Sequence, residues 1–254
     1  MNAFDLGGKV AIVTGSSRGI GRSIAEHLAA AGARVVISSR KAPACEEVVQ
    51  AIRKAGGEAI AIPANIGDKS QLENLVAQTR KTWGRIDILV CNAASNPYYG
   101  PMSGLPDDAF NKILHNNIVS NHWLASLVLP EMAQRKDGVV IIVSSIGGLK
   151  GSVALGAYAI SKAADMQLAR NLAVECGRHN VRVNCIAPGL VRTDFARALW
   201  ENPEVLRHYE STTPLGRIGE PDDIGGIAVF LASRAGAFVT GQTIVADGGV
   251  TIAG

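Results

Sequence analysis

Val10-Ala11-Ile12-Val13-Thr14-Gly15-Ser16-Ser17-Arg18-Gly19-Ile20-Gly21 is the stretch whose reading decides the fold. Its first four residues are apolar, which suits a strand buried on both faces, and the glycine-spaced run after them turns directly into a helical pattern beginning near Gly19 or Ile20. Glycine lets the backbone approach a pyrophosphate closely, and the exposed amides and positive end of the following helix favour its charge. A glycine pattern alone is weak; one that follows the first strand of an α/β repeat is much stronger. The run therefore predicts a dinucleotide cradle built from Gly15, Ser17, Arg18, Gly19, Ile20 and Gly21.

Outward from it, short β-branched runs alternate with amphipathic stretches to the end of the chain. Strands are expected at 10–14, 34–39, 58–62, 86–91, 138–144, 181–186 and 242–246, with helices from 19, near 44–55, at 69–83, near 110–134, at 158–178 and from 222. The alternation predicts an α/β class: a doubly wound Rossmann fold with a seven-stranded parallel sheet flanked by helices and ligands at the carboxyl edge of the strands, and the length fits one nucleotide-binding domain over residues 1–254. Phe195, Ala198, Leu199 and Trp200 form an apolar helical stripe between prolines. It reads either as a packed surface helix or, because it follows a strand ending at the site, as a substrate lid at about 190–215.

Composition narrows the function classes. The 254 residues carry a net charge of +3 with charges spread along the chain, so nucleic acid is not an expected partner. Hydrophobic residues make up 47 % and no apolar run has spanning length, which points to a buried parallel sheet and no membrane association. Met1-Asn2-Ala3-Phe4-Asp5 has neither a basic start nor an apolar leader, and an intracellular, cytoplasmic protein is the expectation. Cys45, Cys91, Cys176 and Cys185 lack CxxC spacing and read as reduced structural thiols; the five histidines show no ligand spacing, so no metal is expected.

Two further clusters carry chemistry. At the end of the second strand, where an acidic residue would bind the adenosine ribose 2′-hydroxyl, stand Ser39-Arg40-Lys41, with Arg18 available from the first turn. Guanidinium groups suit a 2′-phosphate, which predicts NADP (NADPH); the alternative is that Arg40 and Lys41 cap a solvated loop. Of the four tyrosines only Tyr158 has a lysine, Lys162, at i+4. A cation there favours phenolate and makes tyrosine a usable acid or base beside a reacting oxygen. Ser145, thirteen residues before Tyr158, ends a buried strand; it reads either as a hydrogen-bond donor to that oxygen or as a turn serine.

With these residues in place, the chain resembles the short-chain dehydrogenase/reductases, in their short single-domain form, across essentially its whole length. Thr14-Gly15-Ser16-Ser17-Arg18-Gly19-Ile20-Gly21 matches the family's TGxxxGxG, and Cys91-Asn92-Ala93-Ala94 looks like its NNAG with cysteine first and alanine last. Asn117 matches the helix asparagine that supports a water chain to the lysine, and with Ser145, Tyr158 and Lys162 it completes the family's tetrad. The resemblance implies cofactor contacts from Asn92, Ala93 and Ala94, from Tyr158 and Lys162, and from Pro188, Gly189, Val191 and Thr193 of a PGxVxT segment. Asp247-Gly248-Gly249 matches its DGG. Where the family usually has an aspartate near the adenine, this chain has Asn65-Ile66, whose amide keeps hydrogen-bonding capacity.

Within the family, residues 36–41, Asn92-Ala93-Ala94, Asn96-Pro97-Tyr98-Tyr99-Gly100 and 195–200 look most like the NADPH-dependent carbonyl and retinal reductases of the dehydrogenase/reductase branch. That implies interconversion of a ketone or aldehyde with an alcohol, and a homotetramer joined through long helices. Eukaryotic members end in a peroxisomal tripeptide, which Thr251-Ile252-Ala253-Gly254 is not. Two rival functions are a 3-oxoacyl-thioester (acyl carrier protein) reductase and a non-catalytic NADP(H)-sensing protein on the same fold.

Overall fold

The computed structural model of the chain describes residues 2–253; Met1 and Gly254, which entered the reading of the two ends, lie outside them. Seven strands form one parallel sheet in the order β3-β2-β1-β4-β5-β6-β7: β1 (Val10–Thr14), β2 (Arg34–Ser38), β3 (Glu58–Ala61), β4 (Ile88–Cys91), β5 (Gly138–Val143), β6 (Val181–Pro188) and β7 (Thr243–Ala246). Strand order reverses between β1 and β4, so their carboxyl ends diverge into the crevice where an open α/β sheet takes its ligand.

Because every side chain of β1 is buried, successive residues feed opposite cores. Ala11 and Val13 join Val35 and Ile37 beneath α1 (Gly19–Ala30), α2 (Ala42–Lys54) and α9 (Asp222–Ala232). Ile12 and Val36 face the other way, against α3 (Lys69–Trp83), α5 (Ser120–Arg135) and α6 (Gly156–Cys176). The four cysteines are buried and unpaired. Among the described residues no helix is long and apolar enough to cross a membrane.

Local chemistry sets the boundaries. Asp68 caps α3 by accepting from the amides of Ser70 and Gln71, and Gly84 ends it in the left-handed region at φ 76°. β4 begins two residues later than the apolar pattern suggests, because Asp87 precedes it and its carboxylate accepts from the Val10 amide at 2.9 Å. The helix expected near 110–134 is two helices, α4 (Asp107–Leu114) and α5, joined by a π-helical turn at His115–Val119. The expected lid contains a 3₁₀ turn at Asp194–Ala196, α7 (Arg197–Trp200) and α8 (Pro203–Thr212), none with a buried residue.

Candidate active site

The glycine loop leaves β1 through Gly15 at φ 65° and enters α1 through Gly19 at φ 55°, conformations that L side chains resist. A methyl group on Gly21 would fall 2.3 Å from Asn92 Nδ2 and 2.4 Å from the Gly15 carbonyl, so only glycine fits this turn. Asn92 braces it: its Nδ2 donates to the Thr14 carbonyl at 2.9 Å, while Thr14 Oγ1 accepts from the Asn92 and Ala93 amides at 3.0 and 3.1 Å. The first turn of α1 has no acidic residue and no side-chain cap, which leaves its amides for an anion. This donor set suits a pyrophosphate.

Ser39 is half-buried and Arg40 exposed just beyond β2. Arg18 instead pairs with Asp194 of the 3₁₀ turn at 3.2 Å. The segment after β6 reaches the same loop, since a methyl on Gly19 would lie 3.1 Å from Thr193 Cγ2. Gly189 backs onto Asp247, and Val191 is buried against Gly219 through an isolated bridge. Asn65 is exposed beyond β3, its Oδ1 accepting from the Gly67 amide at 3.2 Å, with Ile66 half-buried beside it.

The candidate reacting groups come from the carboxyl end of β5 and from α6. Ser144 turns inward and donates to the Lys162 carbonyl at 2.7 Å, whereas Ser145 Oγ accepts from the Gly147 amide at 3.0 Å. A methyl on Gly147 would sit 3.4 Å from Ser145 Oγ and 3.9 Å from the Tyr158 ring, so the two side chains flank one small space. Phe195 closes another side, its ring centroid 6.0 Å from that of Tyr158. Leu149 and Tyr99 are exposed like Phe195, Tyr98 turns its hydroxyl onto the Pro101 carbonyl at 2.9 Å, and Trp200 donates to the Thr193 carbonyl at 2.8 Å.

Lys162 Nζ lies 5.7 Å from the Tyr158 ring centroid, at 2 % residue exposure. It donates to the Val143 carbonyl and to Asp165 Oδ2, both at 2.9 Å. Burial works against both charges of that pair. It lifts the Asp165 carboxyl above the usual range, and it opposes the Lys162 ammonium, which the facing carboxylate and then Tyr158 nevertheless hold above its usual range.

The π turn brings Asn117 inward at 0 % exposure, its Oδ1 accepting from the Ser95 amide at 2.8 Å and its Nδ2 donating to Ser161 Oγ at 3.0 Å. Neighbouring Asn116 donates to the Ser95 hydroxyl instead of the Ser95 backbone, and it is Asn117 that bonds Ser161. Two buried polar residues that the sequence analysis passed over belong to this cluster. Asn121 donates to the Asn117 carbonyl at 2.6 Å and to Asp165 Oδ1 at 2.9 Å. A charged residue three places after Lys162, on a helix otherwise rich in alanine and leucine there, is the signal that singles out Asp165.

A family model described as enoyl-(acyl carrier protein) reductase matches residues 15–251. Dehydrogenase/reductase SDR family member 4 of Bos taurus is 42% identical over 244 residues, covering 96% of this chain and 88% of the relative. Among solved structures, a 7α-hydroxysteroid dehydrogenase complexed with NADH and 7-oxoglycochenodeoxycholic acid is 37% identical at a TM-score of 0.94, covering 97% of this chain and 96% of that one. A gluconate 5-dehydrogenase from Burkholderia cenocepacia J2315, in complex with NADP and tartrate, is 31% identical at a TM-score of 0.95, covering 100% and 99%.

Proposed function

The chain belongs to the short-chain dehydrogenase/reductase family, in its dehydrogenase/reductase branch, and on that premise we propose that it is an NADP(H)-dependent carbonyl reductase or alcohol dehydrogenase with Tyr158 as its acid and base. Membership makes it a nicotinamide-dependent oxidoreductase of CH–OH groups; the finer reading rests on Ser145 and Tyr158 flanking one small space, with Lys162 Nζ 5.7 Å from the Tyr158 ring centroid.

The cofactor's residues on this reading are Gly15, Ser17, Arg18, Gly19, Ile20 and Gly21 for the pyrophosphate, Ser39 and Arg40 for the 2′-phosphate, Asn65 and Ile66 for the adenine, and Asn92, Ala93, Ala94, Tyr158, Lys162, Pro188, Gly189, Val191 and Thr193 for the nicotinamide half. When bound, the nicotinamide supplies or accepts a hydride at the substrate carbon. Ser145 Oγ donates a hydrogen bond to the substrate oxygen, holding it and stabilising developing charge. In reduction Tyr158 gives that oxygen its proton; in oxidation it takes the proton away. The Lys162 ammonium makes the phenol more acidic, and Asn117 holds the turn through which water reprotonates it. Residues 190–215 form the substrate lid of a single domain, acting in a cytoplasmic homotetramer. Tyr99, Leu149 and Phe195, exposed and apolar, are the side chains that would suit a ketone or aldehyde of modest polarity.

Tyr158→Phe tests the assignment. Its kcat should fall by about 10²–10⁴-fold while NADPH binding is unchanged; a near-normal rate would sink the mechanism. The 3-oxoacyl-thioester reading needs a basic surface for an acidic carrier. Here Arg192 pairs with Glu220 and Arg197 with Asp194, which weakens that surface. NADPH oxidation with simple ketones and aldehydes but not with acetoacetyl thioesters is the expected outcome, and the reverse pattern selects the rival.

A further inference from the structure

Asp165 is the one carboxylate of the described residues seen against the lysine beneath Tyr158, and it is fully buried. Both of its oxygens are taken: Oδ2 by Lys162 Nζ and Oδ1 by Asn121 Nδ2, each at 2.9 Å. Asn121 also holds the Asn117 carbonyl, so one hydrogen-bonded chain runs from the π turn through Asn121 and Asp165 to Lys162, all within the protein interior. Burying an acid beside a lysine is costly, and here each charge is offset by the other and by Asn121 and the Val143 carbonyl. A carboxylate retained here answers to the ammonium it faces.

We propose that Asp165 is a positioning residue for the proton transfer: it fixes Lys162 as a buried ammonium beneath Tyr158 and ties that ammonium to Asn117 through Asn121. This rests on the catalytic reading of Tyr158 and Lys162. The titratable groups around Lys162 are Asp165 and Tyr158 on α6, Cys91 on β4 and Cys185 on β6, with Arg170 acting on Cys185. Burial, and next the Asp165 carboxylate, push both thiols up, so neither supplies a competing anion at neutral pH. The phenolate form of Tyr158 and the Asp165 carboxylate are then the only anions facing Lys162 among these groups. Without Asp165, the desolvated ammonium loses its proton at lower pH, and a neutral lysine leaves the phenol a weaker acid.

The test is Asp165→Asn, a neutral near-isostere, in the intact enzyme with NADPH and a turned-over ketone. The basic limb of its kcat/KM profile should move down by about 1–3 pH units, with the loss of rate much larger at high pH than at low. A profile of wild-type shape, whether the rate is kept or lost uniformly across pH, overturns the assignment. Tyr158→Phe is measured alongside. If it turns over normally, the catalytic reading fails and takes this inference with it; if it is inactive while the Asp165→Asn profile is unshifted, only the Asp165 assignment fails. Should Asp165→Asn not fold, the wild-type protein decides through the Lys162 ¹³Cε resonance, assigned by its disappearance in Lys162→Met. It should keep its ammonium position through the pH range in which an ordinary lysine titrates, and loss of the proton below that range overturns the proposal.

Discussion

Cofactor choice is decided one residue at a time. Arg40 stands exposed just beyond β2, at the position where an acidic side chain would instead accept from a ribose hydroxyl. Arg18, the other candidate, pairs with Asp194, but with the two side chains 68% and 41% exposed the bond is weak and easily exchanged for a phosphate. A charge-assisted hydrogen bond is worth about 1.5–3 kcal/mol, so Arg40→Ala should raise the NADPH Michaelis constant by about 10–100-fold. NADH, which lacks the 2′-phosphate, should be used no worse than before. Steady-state kinetics with both cofactors checks this; an unchanged NADPH constant would leave Arg40 as a solvated loop residue. The two solved relatives described above, one with NADH and one with NADP, make the residue-level test necessary, because the shared fold holds either.

At the scale of elements, the segment that follows β6 returns to α9 through a bidentate ion pair. Arg217 donates to both oxygens of Asp223, and the Asp223 carboxylate also accepts from the Glu220 amide at 2.7 Å. The Arg217 hydrogen bonds, then the backbone one, hold the Asp223 carboxyl down at about 2. Its folded value lies below the unfolded one of about 3.9, so its contribution to stability is present above that pH and lost as pH falls toward 2. Asp223→Asn should therefore melt below wild type at pH 6, with the gap closing by about pH 2; melting curves across that range check it, and a constant gap would contradict it. This pair joins residues six apart across a turn, a contact that no periodicity announces. The sheet was far more legible, because strands such as β1 and β5 are buried on both faces and written almost wholly in valine, isoleucine and alanine. The π turn was hidden, since one extra residue in a long helix barely alters its apolar spacing. Ser145, Tyr158 and Lys162 could be read as a group from spacing on a strand end and a helix. Asp165 and Asn121 could not, because their contact arises only when α5 packs on α6.

For the molecule as a whole, the proposed cofactor residues come from segments after β1, β2, β3, β4 and β6 and from α6, on both sides of the point where strand order reverses. The unfolded chain assembles none of this cradle, whose two ends already meet where Thr193 rests against Gly19 and Asp194 pairs with Arg18. A ligand that binds only the folded form stabilises it by mass action, by about 2.7 kcal/mol at one hundred times its dissociation constant. For a chain of this size each kcal/mol raises the melting temperature by about 2–4 °C, so saturating NADPH should raise it by about 5–10 °C. NADH at the same concentration should shift it less if Arg40 holds the 2′-phosphate as proposed, because NADH lacks that group. Thermal unfolding followed by scanning calorimetry separates the outcomes. Equal shifts with the two cofactors would mean that the 2′-phosphate contributes nothing to affinity, and no shift with either would mean that the glycine loop, though shaped for a pyrophosphate, does not hold one.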